Sequence, residues 1–101
     1  MMLRFDFAIG CGPEIGMGHL SRALTLASAL AAKGATVRLF VSDISSIPVS
    51  LPFTSASLAD GRPRGADMLI IDGVRASASA LEELAQPSRT FAFVDDMGRS
   101  P

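Results

Sequence analysis

The sequence predicts an α/β domain with a mostly parallel sheet between helical layers. Three observations lead there. Short runs rich in Phe, Val, Ile and Leu alternate with segments whose apolar residues recur every three or four positions. The apolar runs are near-continuous, as in strands covered on both faces. A glycine-rich stretch joins the first run to the first periodic segment.

Leu3 to Ala8 reads as the first strand. Four of the nine glycines then fall between Gly10 and Gly18, which demands a loop. Leu20 to Ala32 reads as a helix, because Leu20, Ala23, Leu24, Ala27, Leu30 and Ala31 form one apolar stripe that Leu26 widens. Gly34 stops it. Thr36 to Ser42 is the second strand. Asp43 to Gly65, with Pro48, Pro52, Pro63 and many serines, reads as an irregular connection holding one short strand near Phe53. Asp67 to Asp72 is the clearest buried strand. Ala76 to Ala85 reads as a helix stopped by Pro87, and Thr90 to Val94 as a last strand ending in Asp95-Asp96.

Right-handed crossovers put the carboxyl end of every parallel strand on one edge. The glycine loop, Asp43, Asp72 and Asp95-Asp96 all follow strands. They are therefore expected along that edge, where open α/β sheets bind ligands. This is a Rossmann-like arrangement.

Composition narrows the function classes. The chain has 101 residues, enough for one domain spanning 1–101. Hydrophobic residues make up 49% and charged residues 19%, which excludes a disordered chain. Lys+Arg numbers 9 and Asp+Glu 10, so no basic field exists for a nucleic acid. One histidine excludes a multi-His metal site, and one cysteine excludes an internal disulfide, which fits a reducing, cytoplasmic setting. Mean hydropathy is +0.38, yet no apolar run approaches the roughly 18 residues of a membrane span. Asp6 interrupts the only stretch resembling a secretory signal, and the same stretch is too short for a lipoprotein signal ahead of Cys11.

The loop runs Gly10-Cys11-Gly12-Pro13-Glu14-Ile15-Gly16-Met17-Gly18-His19-Leu20-Ser21-Arg22. Glycines let backbone approach a ligand, and a helix start attracts anions. A tight turn with solvated His and Arg is the plain alternative. Gly16-Met17-Gly18-His19-Leu20-Ser21 matches a dinucleotide fingerprint imperfectly, with Asp43 as the ribose acid. No Gly-Lys-Ser/Thr is present, so a P-loop is excluded.

Gly12-Pro13-Glu14-Ile15-Gly16-Met17-Gly18-His19, then Arg22, then Leu26-Ala27, resembles the opening motif of the nucleotide-sugar hydrolases of the pseudaminic-acid pathway. It is also similar to the related spore-coat polysaccharide glycosyltransferases. Asp72 after an aliphatic strand and Val94-Asp95-Asp96-Met97 after a later one look like further landmarks in the same order. Ala8 and Gly10 stand where the family often carries Arg-x-Asp, and Val74 where it often carries an aromatic residue.

The resemblance implies the amino-terminal lobe of a two-lobed GT-B fold in surface-polysaccharide or nonulosonic-acid biosynthesis. The nucleotide-gripping second lobe is not part of this chain. The implied substrate is a nucleotide sugar, UDP-linked, and the implied partner is that second lobe, or self-association through the face it would cover. The resemblance calls for neither cofactor nor metal. His19 would be the general base, drawing a proton from the water or acceptor hydroxyl that attacks the anomeric carbon. Gly16, Gly18, Arg22, Asp72, Asp95 and Asp96 would bind substrate, with Asp95 or Asp96 also available to orient His19. Arg22 alternatively pairs with Glu14 or Asp72. Cys11 is expected to be a small buried residue, and Glu82 and Glu83 to lie on a solvated helix face. The competing reading is a non-catalytic α/β module that binds an anion, a dinucleotide or a protein partner.

Overall fold

The computed structural model describes residues 3–12, 18–47, 51–59, 61, 63–74 and 78–94. Five strands and two helices follow in order: β1 (Arg4–Ile9), α1 (Gly18–Ala32), β2 (Thr36–Val41), β3 (Thr54–Ser57), β4 (Met68–Asp72), α2 (Ala78–Ala85) and β5 (Thr90–Val94). A 3-10 turn, Ile44–Ser46, follows β2. All strand pairs are parallel, in the order β3-β2-β1-β4-β5. This is the doubly wound order, and its direction reverses between β1 and β4.

The strands alternate their side chains between two helical layers. Phe7 and Ile9 of β1, Val37, Leu39 and Val41 of β2 and Ile70 of β4 pack with Leu20, Ala23 and Ala27 of α1. Ala8, Leu69 and Ile71 form the core of the opposite face, with Leu81 of α2 packed against them. A strand buried on both sides must be apolar at successive positions, which explains the near-continuous runs. Leu20 is 1% exposed, and shortening such a core leucine to alanine costs about 2–5 kcal/mol. Leu26 is the exposed flank of the stripe.

The α1 helix begins at Gly18, ahead of the expected Leu20, and ends in a Schellman cap. Gly34 donates to the Ala31 carbonyl at 3.0 Å and Ala35 to the Leu30 carbonyl at 3.1 Å. Gly34 takes φ +92, the left-handed conformation this cap requires. The strand expected near Phe53 is the polar, short β3 on the sheet edge, pairing with β2.

One buried charge pair joins the inner strands. Asp6 of β1 lies opposite Arg38 of β2 in register and is fully buried. Arg38 donates from Nε to Asp6 Oδ1 at 2.7 Å and from Nη2 to Oδ2 at 2.5 Å. Its guanidinium also lies 5.7 Å from the centre of the Phe40 ring. The hydrogen bonds to Asp6 raise the Arg38 pKa above the ordinary guanidinium value, against the opposing effect of burial. The sequence shows Asp6 and Arg38 only as interruptions of apolar runs.

Candidate functional site

The site is built where β1 and β4 end side by side. Ile9 is in register with Asp72, and the Gly10 amide donates to the Asp72 carbonyl at 2.8 Å. Chain direction diverges here, because β1 leads to α1 and β4 to α2. In open α/β sheets such a switch point, at the carboxyl edge, is where ligands bind.

Asp72 is the last residue of β4 and shares a face with Ile70, the face that α1 covers. His19 and Arg22, three residues apart in the first turns of α1, both reach it. His19 Nδ1 lies 2.6 Å from Asp72 Oδ1. Arg22 donates from Nε to Oδ2 at 3.0 Å and from Nη2 to Oδ1 and Oδ2, each at 2.9 Å. Arg22 Nη2 and His19 Nδ1 approach to 3.2 Å because both converge on Oδ1.

Exposure is graded across this cluster: the side chain is 3% exposed for Asp72, 17% for His19 and 44% for Arg22. A carboxylate removed from water needs donors, and here it has a guanidinium and an imidazole. Bonded to an arginine, Asp72 acts as an acceptor. His19 Nδ1 therefore carries the hydrogen and donates, which makes Nε2 the basic nitrogen of the neutral ring.

Two glycines make the geometry possible. Gly73 follows Asp72 at φ +76, and a Cβ there would lie 2.7 Å from both Cγ and Cδ2 of His19. A Cβ on Gly10 would lie 1.9 Å from the Gly73 carbonyl oxygen. At Gly18, by contrast, a Cβ would meet no atom of the described residues within 4 Å.

The other predicted residues divide clearly. Asp43 is drawn into local structure: its Oδ1 accepts from the Ser45 amide at 3.1 Å and the Ser45 hydroxyl at 2.6 Å. That is an Asx cap of the 3-10 turn. Cys11 is 3% exposed, with its amide and carbonyl bonded to the Ser42 hydroxyl, each at 2.9 Å. Glu82 and Glu83 are exposed. Gly16, Asp95 and Asp96, along with Glu14, lie outside the described residues. Among the described residues, the group that orients His19 is Asp72. Asp95 and Asp96, which the sequence also offers for that task, lie outside the described residues, and the sequence reading does not extend to Gly10 and Gly73 as steric elements. The available signal was the Asp-Gly pair directly after an apolar strand.

Among the described residues, no helix is long and apolar enough to cross a membrane, and no three His, Cys, Asp or Glu side chains gather as metal ligands. Fold and site together define a small doubly wound α/β domain with a His-Asp-Arg cluster at its switch point. No protein-family model, curated protein or solved structure matches the chain.

Proposed function

We propose that this domain is the amino-terminal lobe of a nucleotide-sugar hydrolase or glycosyltransferase of the GT-B type, with His19 as its general base. The observation that carries the reading is the bond from His19 to buried Asp72 at the switch point of a parallel sheet. The resemblance of the Gly12–His19 motif supports it from the sequence side.

In this reaction Nε2 of His19 takes a proton from a water, or from an acceptor hydroxyl, as its oxygen attacks the anomeric carbon. The bond from that carbon to the diphosphate oxygen breaks, and the nucleoside diphosphate leaves with the electron pair. Asp72 fixes the ring and stabilises the imidazolium that forms, which then returns its proton to solvent. We assign the anionic part of the substrate to Arg22, whose guanidinium is anchored on Asp72 while much of its side chain stays exposed. Gly18, the first residue of α1, is assigned to the same anionic part of the substrate. Gly16, Asp95 and Asp96 are assigned to substrate by sequence position alone.

The test supplies a second, nucleotide-binding lobe, fused or added in trans, and follows UDP release from a panel of UDP-sugars. The expected result is release by the assembled pair, little by the domain alone, and loss in His19→Ala. Absence of release from every sugar by the assembled pair would overturn the reading.

A further inference from the structure

We infer that Gly73 is the seat of the His19 ring: a positioning residue that holds the imidazole on Asp72 by having no side chain.

The ring rests over the Gly73 backbone. A Cβ at this position would lie 2.7 Å from Cγ and Cδ2 and 3.1 Å from Nδ1. Cγ is the ring atom closest to the helix backbone, so it moves away only if the side chain rotates about its first torsion. That rotation carries Nδ1 off Asp72 and breaks the 2.6 Å bond. A shift of the Gly73 peptide toward β1 has little room, because its carbonyl already lies close against the Gly10 backbone. The Gly73 carbonyl already occupies the place where a Gly10 Cβ would stand, 1.9 Å from it. The two glycines and the ring are thus packed in series across the switch point, and a methyl group at position 73 has no room unless the His19–Asp72 pair opens. The positive φ of +76 at Gly73 is a separate demand, which Asn meets better than other side chains.

A catalytic consequence of the seat rests on His19 being the base; the seat itself does not. The experiment keeps the two apart. His19 is the only histidine, so its ring resonances need no assignment against others. In Gly73→Asn the left-handed backbone is tolerated but the Cβ collides. We expect the low-field Nδ1–H signal of the Asp72-bonded ring to disappear and the nitrogen shifts to move toward a mixed tautomer. Gly34→Asn is the control: it has φ +92 and no atom within 4 Å of the added Cβ, and should keep the signal.

Stability gives a second readout where Gly73→Asn lowers the unfolding midpoint too far for spectroscopy. In a His19→Ala background the obstructing ring is gone, so Gly73→Asn should lower the midpoint much less than in the native background. A retained Nδ1–H signal in Gly73→Asn, or equal midpoint losses in the two backgrounds, would overturn the seat. A displaced ring with undiminished UDP release by the assembled enzyme would leave the seat standing and overturn the base assignment.

Discussion

His19 and Asp72 stand 53 residues apart in sequence and 2.6 Å apart between Nδ1 and Oδ1. One opens the first helix and the other closes the fourth strand, so their meeting depends on β1 and β4 lying side by side. Arg22 reaches the same carboxylate from the helix surface. The cluster thus ties α1 to the sheet and holds a histidine in one tautomer. Stability and the proposed chemistry both pass through Asp72, and substitutions there test both.

Asp72→Asn removes the charge but nearly preserves the volume. The carboxamide offers one acceptor oxygen to three donor nitrogens and turns its own donors toward Arg22 or His19. A buried group left imperfectly paired costs about 1–3 kcal/mol. In a domain of this size each kcal/mol lowers the melting temperature by roughly 4–8 °C. Thermal denaturation should therefore show a clear drop with an unchanged fold by circular dichroism.

The Asp6–Arg38 pair makes a different prediction. Asp6 is fully buried, so Arg38→Met strands an uncompensated carboxylate and should cost about 3–5 kcal/mol. Replacing both ends with apolar residues, Asp6→Leu with Arg38→Met, removes the stranded charge together with the pair. The double variant should be far more stable than the single and close to the native protein. Urea denaturation of the three proteins decides it; a double variant as weak as the single would show that this pair carries the native packing of β1 and β2.

The legible and illegible parts of this molecule differ for physical reasons. Phe7, Ile9, Leu39, Leu69 and Ile71 announce their strands because burial on both faces demands apolar side chains at successive positions. Leu20, Ala23 and Ala27 announce α1 through its 3.6-residue period, and Gly34 announces its end. Thr54–Ser57 leaves little signal, because a short polar edge strand buries little and pairs along one side. At the site, His19, Arg22 and Asp72 were each visible as polar residues at strand or helix ends. Which acid meets the histidine was not, because strand order is a tertiary fact: Asp72 is adjacent only once β4 lies beside β1. Gly10 was legible as part of the glycine loop, whereas its close approach to Gly73, and that of Gly73 to His19, follow only from the packing of β1 beside β4.

Gly34 isolates a backbone effect. Its φ is +92, and a Cβ there would touch nothing within 4 Å. Gly34→Ala thus adds conformational strain without a clash and should cost about 1–2 kcal/mol. Gly34→Asn should cost less, since Asn tolerates the left-handed region. Comparing the two melting temperatures checks the ranking; equal losses would mean that the loop rearranges rather than strains.

The last prediction concerns how His19 and Asp72 act together if the proposed general-base reaction is rebuilt with a second lobe. A general base is worth about 10²–10⁴-fold, so His19→Ala should lower turnover by about that factor. Asp72→Asn should lower it as well, although the imidazole remains. Without the carboxylate at Nδ1 the ring can rotate or place its proton on Nε2, and the basic nitrogen then faces the wrong way. If Asp72 works through His19, the two losses cannot multiply. At saturating substrate the double variant His19→Ala/Asp72→Asn should turn over no more slowly than His19→Ala alone, as for groups that function as a unit, while loss of the Arg22 anchor appears in KM. Stability should behave otherwise, because Asp72 also bonds Arg22, a contact that survives in His19→Ala. The double variant is thus expected to melt below His19→Ala while matching its rate. Losses in kcat that multiply would mean that Asp72 acts on the reaction by a route other than His19, through Arg22 or on substrate directly, and a purely orienting role would have to be withdrawn.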